Sequence, residues 1–580
     1  MTIPVTSLLY LGLGLGFWLI LKIRTRLLLS MAKHPSLHGH AKISRLIARH
    51  VPYIEYDNQR FFSSDGAPTS IADQRRAAFS NLASRLQRLS PTSINMSEEL
   101  EADISDVLFT NTYRVPFPYR RYVKNHIKLG TLVTASHGNQ LEDLDGNLSY
   151  DLSGSYGVNI FGYEFYKQCL QKGYERAASL GPVRGPYHPV IKDNVTRLKQ
   201  ISGLDEVSFH MSGTEAVMQA VRLARYHTGK KYLVRFCGSY HGWWDGVQPG
   251  IGNNRKTSDV YTLKDMDKDT LRVLRTRRDI ACILINPLQA LHPNANAPGD
   301  AALLASDRKA AYDREAYADW LQQLRQVCSK RGIVMIMDEV FLGFRLAHGG
   351  AQEYFSVQAD MVTYGKGLGG GLPVGVLCGK HDLMKRFKDD RPTDISFARG
   401  TFNSHPYVMT SMNAFLNRID EEDIQHVYQQ ADSIWTQRVN GINELLLQER
   451  LPVRIANLAS VWMVTYTLPS RYNWMYQFYL RTEGLSLSWV GTGRFIFPHN
   501  LPDEDYAEIQ ARIICAARKM QADGRWWQAQ GLTNKSIKRA FMKDIIRQKL
   551  RLTSNSAPGE KTPAFSTAQS RRRGNQGQGV

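Results

Sequence analysis

The run IVMIMDE at residues 333–339, followed by YGKGLGGGLPVG at residues 364–375, decides the fold of this chain. The apolar part of the first run has the length of one strand and no helical stripe, which is typical of a strand buried on both faces of a parallel sheet. It ends in Asp338 and Glu339, at the edge where open α/β sheets bind ligands. The stretch therefore predicts an α/β fold with a ligand site at the end of this strand.

The second run places Lys366 among glycines, which allow backbone and ligand to approach each other closely. A buried carboxylate and a lysine in a glycine-rich turn suit pyridoxal 5'-phosphate (PLP). The lysine amine bonds to the cofactor, while Asp338 pairs with the protonated pyridine nitrogen and keeps the ring an electron sink. The alternative is a structural ion pair beside an ordinary glycine turn.

The composition of the 580 residues, 43% of them hydrophobic, is that of a folded protein with a large core and two to four domains. The six cysteines include no C-x-x-C pair, which argues against a disulfide framework or a metal site and favours a reducing compartment. Much of the net charge of +20 lies near the ends of the chain. Basic charge beside an apolar segment favours an anionic membrane surface, and we expect no nucleic-acid partner.

Residues 1–22 predict a single transmembrane anchor. Thr2 to Leu21 include no charged residue, and twenty residues can just span a hydrocarbon core of ~30 Å. Lys22, Arg24 and Arg26 follow at once, without the features of a cleavable signal peptide. The positive-inside rule then predicts a single-pass membrane protein whose catalytic part is cytoplasmic. The alternative is a helix that lies on the protein or is buried in it.

Changes in composition and in hydrophobic pattern divide the rest of the chain into segments. Residues 23–110 predict a basic, mainly helical juxtamembrane region. Residues 111–170 are the predicted N-terminal segment of the catalytic unit, and β-turn-α alternation over residues 171–415 predicts a large cofactor-binding domain. Residues 416–540 predict a smaller C-terminal domain. The tail, residues 552–580, is rich in Ser, Gly, Pro, Gln and Arg, and we expect it to be disordered.

A second motif, SGTEA at residues 212–216, predicts a phosphate cradle. A short strand, a turn and a helix start direct free backbone amides and the helix dipole at an anion. An ordinary N-cap by Ser212 or Thr214 is the alternative. Tyr240 ends the next strand, where an aromatic ring can stack on a flat cofactor. The hydroxyl of Thr401 is a further candidate donor to the phosphate.

Taken together, these motifs resemble the class III, fold-type I PLP-dependent aminotransferases, with the glutamate semialdehyde aminomutase-like branch as the closest. Coverage is roughly residues 112–535, and four blocks in the family's order carry it: SGTEA (212–216), YHG (240–242), DEV with GFR (338–345), and GK with GGGLPVG (365–375). The resemblance implies a large, mostly parallel-sheet domain and a smaller α/β C-terminal domain, here preceded by the predicted transmembrane helix.

The resemblance also implies roles for single residues. Lys366 would hold the cofactor and shuttle the proton, and Asp338 would pair with the pyridine nitrogen. Ser155, Tyr156 and Gly157 match the substrate-side loop. The remaining cofactor contacts implied, the last of them across a homodimer interface, are Ser212, Gly213, Thr214, Tyr240, His241, Val340 and Thr401.

Two positions depart from the family pattern. Asn286 stands where the family often has a glutamate, which removes a carboxylate beside the substrate, and Phe341 stands where many members have a glutamine. No arginine is assigned to a substrate carboxylate, although Arg114, Arg120 and Arg121 are candidates.

We therefore expect a membrane-anchored, homodimeric PLP-dependent aminotransferase. It would move an amino group between an amine or amino acid donor and a carbonyl acceptor, with small-molecule or lipid-like substrates. One alternative is an intramolecular aminomutase. The other is a catalytically silent, membrane-tethered scaffold, and the presence of both Lys366 and Asp338 counts against it.

Overall fold

The computed structural model describes residues 5–35, 39–248, 250–255, 258–291, 310–488 and 493–554. The strands are β1 Val133–His137, β2 Gln140–Asp143, β3 Leu148–Asp151, β4 Glu206–His210, β5 Tyr232–Phe236, β6 Val260–Leu263, β7 Ile280–Ile285, β8 Val334–Asp338, β9 Met361–Gly365, β10 Gly375–Gly379, β11 Phe387–Lys388, β12 Arg391–Ile395, β13 Val453–Leu458, β14 Val461–Tyr466, β15 Leu485–Ser486 and β16 Arg494–Ile496.

The helices are α1 Val5–Ala32, α2 Ala41–Ala48, α3 Asn58–Ser63, α4 Thr69–Leu89, α5 Pro91–Asp103, α6 Ser105–Tyr113, α7 Arg120–His126, α8 Gly154–Gly157, α9 Tyr163–Ala177, α10 Ile191–Ser202, α11 Gly213–Thr228, α12 Lys268–Thr276, α13 Arg314–Arg331, α14 Gly343–Leu346, α15 Gly350–Tyr354, α16 His381–Met384, α17 Pro406–Ile419, α18 Glu422–Gln448, α19 Tyr476–Thr482, α20 Asp503–Ala522 and α21 Asn534–Ser554.

A seven-stranded sheet, with the order β4-β10-β9-β8-β7-β5-β6, forms the centre of the large domain. In this sheet β10 runs antiparallel to both of its neighbours, β4 and β9, and the other adjacent strand pairs are parallel. Successive residues of β8 point to opposite faces, so Val334 and Ile336 join one apolar cluster while Met335 and Met337 join another. Burial on both faces explains the uninterrupted apolar run, and the predicted α/β sheet is confirmed.

A second core joins residues from the two ends of the chain. Phe61 and Phe79 pack in the same apolar cluster as Trp474 and Trp526. The short strand β15 pairs in parallel with β3, and β13, β14 and β16 form an antiparallel sheet. Helices α3 and α4 therefore share one core with the carboxyl-terminal strands.

The helix at the amino terminus, α1, runs beyond the apolar stretch and through the charged residues Lys22 and Arg24. Its last residue, Ala32, is fully buried, and the Ala32 carbonyl accepts a 2.8 Å hydrogen bond from the Lys264 amide. No helix among the described residues is both long and apolar enough to cross a membrane. The transmembrane anchor predicted for residues 1–22 is therefore not supported. Residues 1–4, and residues 555–580 of the predicted tail, lie outside the described residues.

Candidate active site

A cavity of about 520 Å³ lies at the carboxyl ends of the central strands. Residues that follow β4, β5, β8 and β9 line this cavity, because parallel strands end at one edge of the sheet. Nine residues predicted from the sequence line it, namely Ser212, Gly213, Thr214, Tyr240, His241, Asn286, Asp338, Val340 and Lys366.

Asp338 is 4% exposed at the end of β8, and its two oxygens have several hydrogen-bond partners. Oδ2 lies 2.7 Å from Nδ1 of His241, and Oδ1 accepts 3.2 Å hydrogen bonds from the Thr363 hydroxyl and the Val340 amide. Burial lowers the pKa of His241 although Asp338 opposes the shift, so the ring is neutral and Nδ1 donates. These donors hold the carboxylate in one orientation.

Lys366 follows β9 directly and has a φ of +47°, a left-handed conformation that a residue with a side chain rarely adopts. Burial, with a smaller contribution from Arg345, lowers the pKa of its amine, while Asp338 opposes this shift. A lowered pKa raises the fraction of neutral amine, which is the nucleophilic form.

The start of α11 has the geometry of an anion cradle. Ser212 is the N-cap and accepts a 3.3 Å hydrogen bond from the Glu215 amide. A Cβ added to Gly213 would lie 2.6 Å from Val340, and one added to Gly242 would clash with the Thr214 hydroxyl. Space therefore exists only for backbone, whose amides can face a phosphate. With Lys366 and Asp338 in the same cavity, these residues fit PLP.

Asn286 supports the turn that carries Tyr240. Its Nδ2 donates a 3.0 Å hydrogen bond to the Tyr240 carbonyl, and its Oδ1 accepts one of 3.1 Å from the Leu288 amide. Both ends of the amide are thus used by the backbone. On the other side of the turn, buried Arg235 donates to the carbonyl of Ser239. The side chain of Tyr240 is 60% exposed along the cavity wall.

The loop of Ser155, Tyr156 and Gly157 lies beside the cavity without lining it. All three residues have positive φ, and Ser155 is held by Asp151, whose Oδ2 accepts a 3.0 Å hydrogen bond from the Ser155 amide. A Cβ on Gly157 would clash with the ring of Phe341, which does line the cavity. Thr401 is exposed and does not line the cavity of its own chain.

The motif that contains Arg345 predicted the family but no role for this arginine. The fully buried guanidinium donates hydrogen bonds to the Phe497 carbonyl (2.7 Å), the Asn159 carbonyl (2.8 Å) and the Ser460 hydroxyl (2.9 Å). Burial lowers its pKa to about 10. Arg345 therefore joins three separate parts of the chain behind Lys366.

Two further arginines lie close together on the loop side of the cavity. Burial lowers the pKa of Arg114 to about 10, and burial together with Arg114 lowers the pKa of Arg481 well below its usual value. Tyr156 lies near enough to both to oppose these shifts. Within the described part of the chain, neither guanidinium pairs with a carboxylate. The motifs did not predict Arg481, because nothing in one sequence brings it to Arg114.

This arginine pair is connected to the cavity through two routes. Arg481 donates to the carbonyl of Ser488 (3.3 Å), which lines a small pocket together with Arg494. Arg494 also lines the main cavity. On the other route, Tyr156 precedes Gly157, which touches the cavity residue Phe341. Neither Arg114 nor Arg481 lines the main cavity itself.

Comparison with known proteins agrees with this geometry. The model of a family described as aminotransferase class-III matches residues 122–516. A glutamate-1-semialdehyde 2,1-aminomutase of Methanocaldococcus jannaschii is 30% identical over 345 residues, which cover 56% of this chain and 74% of that protein. A protein of the same description from Hyperthermus butylicus is 33% identical over 295 residues, 50% of this chain and 66% of that protein.

Solved structures share the fold. A glutamate-1-semialdehyde-aminomutase from Pseudomonas aeruginosa PAO1 has a TM-score of 0.62 at 17% identity and covers 77% of this chain and 99% of its own. A beta-phenylalanine aminotransferase from Variovorax paradoxus has a TM-score of 0.60 at 20% identity, with coverages of 78% and 98%. A transaminase with PLP bound has a TM-score of 0.57 at 23% identity and covers 68% of this chain and 92% of its own. The predicted fold-type I architecture is thereby confirmed.

Proposed function

The chain belongs to the class III aminotransferases and is a PLP-dependent enzyme, and from this premise we propose that it moves an amino group from an amine or amino acid donor to a carbonyl acceptor. One observation carries the proposal: Lys366, Asp338 and the amino terminus of α11 meet in one cavity. A covalent anchor, a partner for a ring nitrogen and a phosphate cradle are the three contacts that PLP requires.

PLP, when bound, supplies the electron sink that stabilises a negative charge on the α-carbon of the donor. Asp338, held by His241 and Thr363, keeps the positive charge on the ring nitrogen that this sink requires. The donor amine would take the place of Lys366 on the cofactor, and the freed Nζ of Lys366 would then accept the proton from the α-carbon and give it back later in the transfer. Its lowered pKa favours the neutral form, which accepts the proton.

The donor in this proposal is an amino acid, whose carboxylate would be bound by Arg114 and Arg481. A buried cation without an ion partner is costly, and it is tolerated where a ligand supplies the missing charge. The backbone of Tyr156 is held in a left-handed conformation next to this pair, as strained backbone at functional sites often is. The carboxylate of a donor would thus lie on the loop side of the cavity.

The acceptor in this proposal is lipophilic, such as a long-chain aldehyde or ketone, and the enzyme works on the cytoplasmic side of a membrane. Support comes from α1, whose side chains from Leu13 to Leu21 are exposed and are followed by Lys22, Arg24 and Arg26. Assays with detergent-solubilised aldehydes of increasing length test the acceptor, and turnover of short water-soluble carbonyls alone would contradict it. Fractionation of cells that express the full chain tests the location.

The active unit in this proposal is a homodimer with shared sites, in which Thr401 reaches the phosphate of the neighbouring subunit. Its exposure outside its own cavity supports this role. Lys366→Ala and Thr401→Ala subunits, unfolded together and refolded as a mixture, should regain activity above either variant, because one site of the mixed dimer is intact. The absence of any gain would place Thr401 in its own subunit or outside the site.

An intramolecular aminomutase is the second candidate, and the relatives described as glutamate-1-semialdehyde 2,1-aminomutase favour it. Such an enzyme isomerises one amino-carbonyl substrate and needs no second donor. Product analysis by mass spectrometry with a ¹⁵N-labelled external donor separates the two. Label in the product indicates transfer between molecules, and its absence indicates the aminomutase.

The first experiment is the absorbance spectrum of purified protein supplied with PLP, beside Lys366→Ala. We expect a visible band in the wild type that amino acid donors bleach and that the variant lacks. Circular dichroism of both proteins establishes that each is folded. A folded wild type without a lysine-dependent band would overturn the catalytic proposal and favour the silent scaffold.

A further inference from the structure

Helix α21, near the carboxyl end of the described chain, is attached to the protein by one face. Ile537 is 2% exposed, and Phe541 and Ile545 pack against the second core. Asp544 on the same face is buried, where it accepts a 2.9 Å hydrogen bond from the Tyr56 hydroxyl and pairs with Arg60. The orientation of α21 on the protein is therefore fixed.

The opposite face of α21 exposes an apolar strip. Met542, Ile546 and Leu550 are 51%, 53% and 62% exposed, and their spacing of four residues places them in one row. Exposed basic side chains flank the row on both sides: Lys535, Lys538, Arg539, Lys543, Arg547 and Lys549. The one acidic residue between 534 and 550 is Asp544, which is turned inward.

We propose that this face of α21 is a docking surface for an anionic lipid bilayer. Helices that lie in the membrane interface combine an apolar row with flanking lysines and arginines. The aliphatic stems of such side chains cover apolar surface while their charges reach the headgroups. Because the inner face already holds the helix on the protein, docking costs little conformational entropy. Only the exposed apolar row has to enter the bilayer interface.

The pattern of charge selects lipid over other partners. A second copy of this chain would bring one basic face against another, which repel each other. Nucleic acid would neutralise the basic charges, but its phosphate backbone would offer no apolar surface to the row at their centre. An anionic membrane satisfies both parts at once. The surface is independent of the chemistry at Lys366 and of α1, which lies at the other end of the chain.

A fluorophore attached at residue 546 reports docking locally. Ile546→Cys, labelled with an environment-sensitive dye, is compared with Leu447→Cys, which is also exposed (63%) but lies on α18. Both are made in the full-length holoenzyme with Cys515→Ser, since the other five cysteines are buried. We expect a blue shift at residue 546 with vesicles of phosphatidylcholine and 30% phosphatidylserine, and none at residue 447 or with phosphatidylcholine alone.

Charge reversal gives a second measurement. Each basic residue near an anionic surface is expected to strengthen vesicle partitioning about fivefold. Lys543→Glu with Arg547→Glu should therefore lower co-sedimentation of the full chain at least about 25-fold. The control pair, Arg88→Glu with Lys199→Glu, changes the net charge equally on other exposed surfaces and should have a much smaller effect.

Three results would overturn the proposal. The first is an unchanged spectrum at residue 546 with anionic vesicles. The second is equal loss of partitioning in both charge-reversed pairs. The third is a shift produced by short DNA or by raised protein concentration instead of vesicles, which would assign the face to nucleic acid or to a second copy. The visible cofactor band is recorded for every variant, so failure of the catalytic proposal shows separately.

Discussion

Replacing Arg114 by methionine is expected to make the protein more stable. Arg114 is 5% exposed, and burial lowers its pKa to about 10 from an ordinary 12.5. At about 1.4 kcal/mol for each tenfold change in protonation, this difference corresponds to about 3 kcal/mol against the charged form. Methionine has a similar length and no charge. We therefore expect the free energy of unfolding to rise by up to about 3 kcal/mol in denaturant titrations.

The same change is expected to impair catalysis with amino acids alone. Hydrogen bonds to a charged group are worth about 1.5–3 kcal/mol, so kcat/KM for an amino acid donor should fall about 10- to 150-fold in Arg114→Met. Stopped-flow bleaching of the cofactor band measures this step. The decarboxylated amine of each donor makes no contact with the arginine pair, and its rate should not change.

Arg121→Met is the matched control, because the Arg121 side chain is 65% exposed and pairs with Glu55 at 3.1 Å. Its stability should stay within about 0.5 kcal/mol of wild type, and its rates should be unchanged. If Arg114→Met destabilised the protein and slowed amino acids and amines equally, Arg114 would be a structural residue and the carboxylate site would be wrong.

Two more predictions concern the cradle and pH. Gly213→Ala should weaken PLP binding about tenfold because its Cβ would lie 2.6 Å from Val340; Gly441→Ala, which meets nothing within 4 Å, should leave binding unchanged and stabilise α18 by about 0.5–1 kcal/mol. Equilibrium dialysis that gave equal affinities would contradict this. His499 has a pKa lowered to about 3 by burial, and its Nδ1 accepts a 3.2 Å hydrogen bond from the Trp435 indole. The unfolded chain binds this proton first, so stability should fall by about 1.4 kcal/mol per pH unit below about pH 6.5. Urea titrations from pH 7 to 4 measure the free energy of unfolding, which should depend less steeply on pH in His499→Gln than in the wild type. An identical pH dependence in the two proteins would refute the assignment.

Local patterns in the sequence predicted the central sheet because burial on both faces leaves a local signature. The run that became β8 is apolar at every position, and all five residues of the strand are buried. The apolar run in α1 was ambiguous in a way that the sequence could not resolve. A membrane span and a helix with exposed apolar side chains have the same composition, and the burial of Ala32 depends on the distant Lys264.

The site was predictable where its residues stand at strand ends. Lys366, Asp338 and Gly213 each follow a recognisable strand, so the parallel topology alone brings them together. Arg481 lies in α19 without any motif, and only the fold brings it to Arg114. Asn286 was noted as a lost carboxylate, but its two hydrogen bonds to the backbone depend on the Tyr240 turn and could not be foreseen.

The second core has a consequence for how the protein is made. Phe61 packs against Phe79 and Tyr122, which are close in sequence, and also against Trp474, which is made about 400 positions later on the ribosome. At roughly 5–20 residues per second, the amino-terminal part of this core waits on the order of 20 to 80 seconds for the carboxyl-terminal part. The second core is therefore completed only after the carboxyl-terminal residues have been made. Ribosome stalling before residue 472 should leave a nascent chain that proteases cut within residues 54–127.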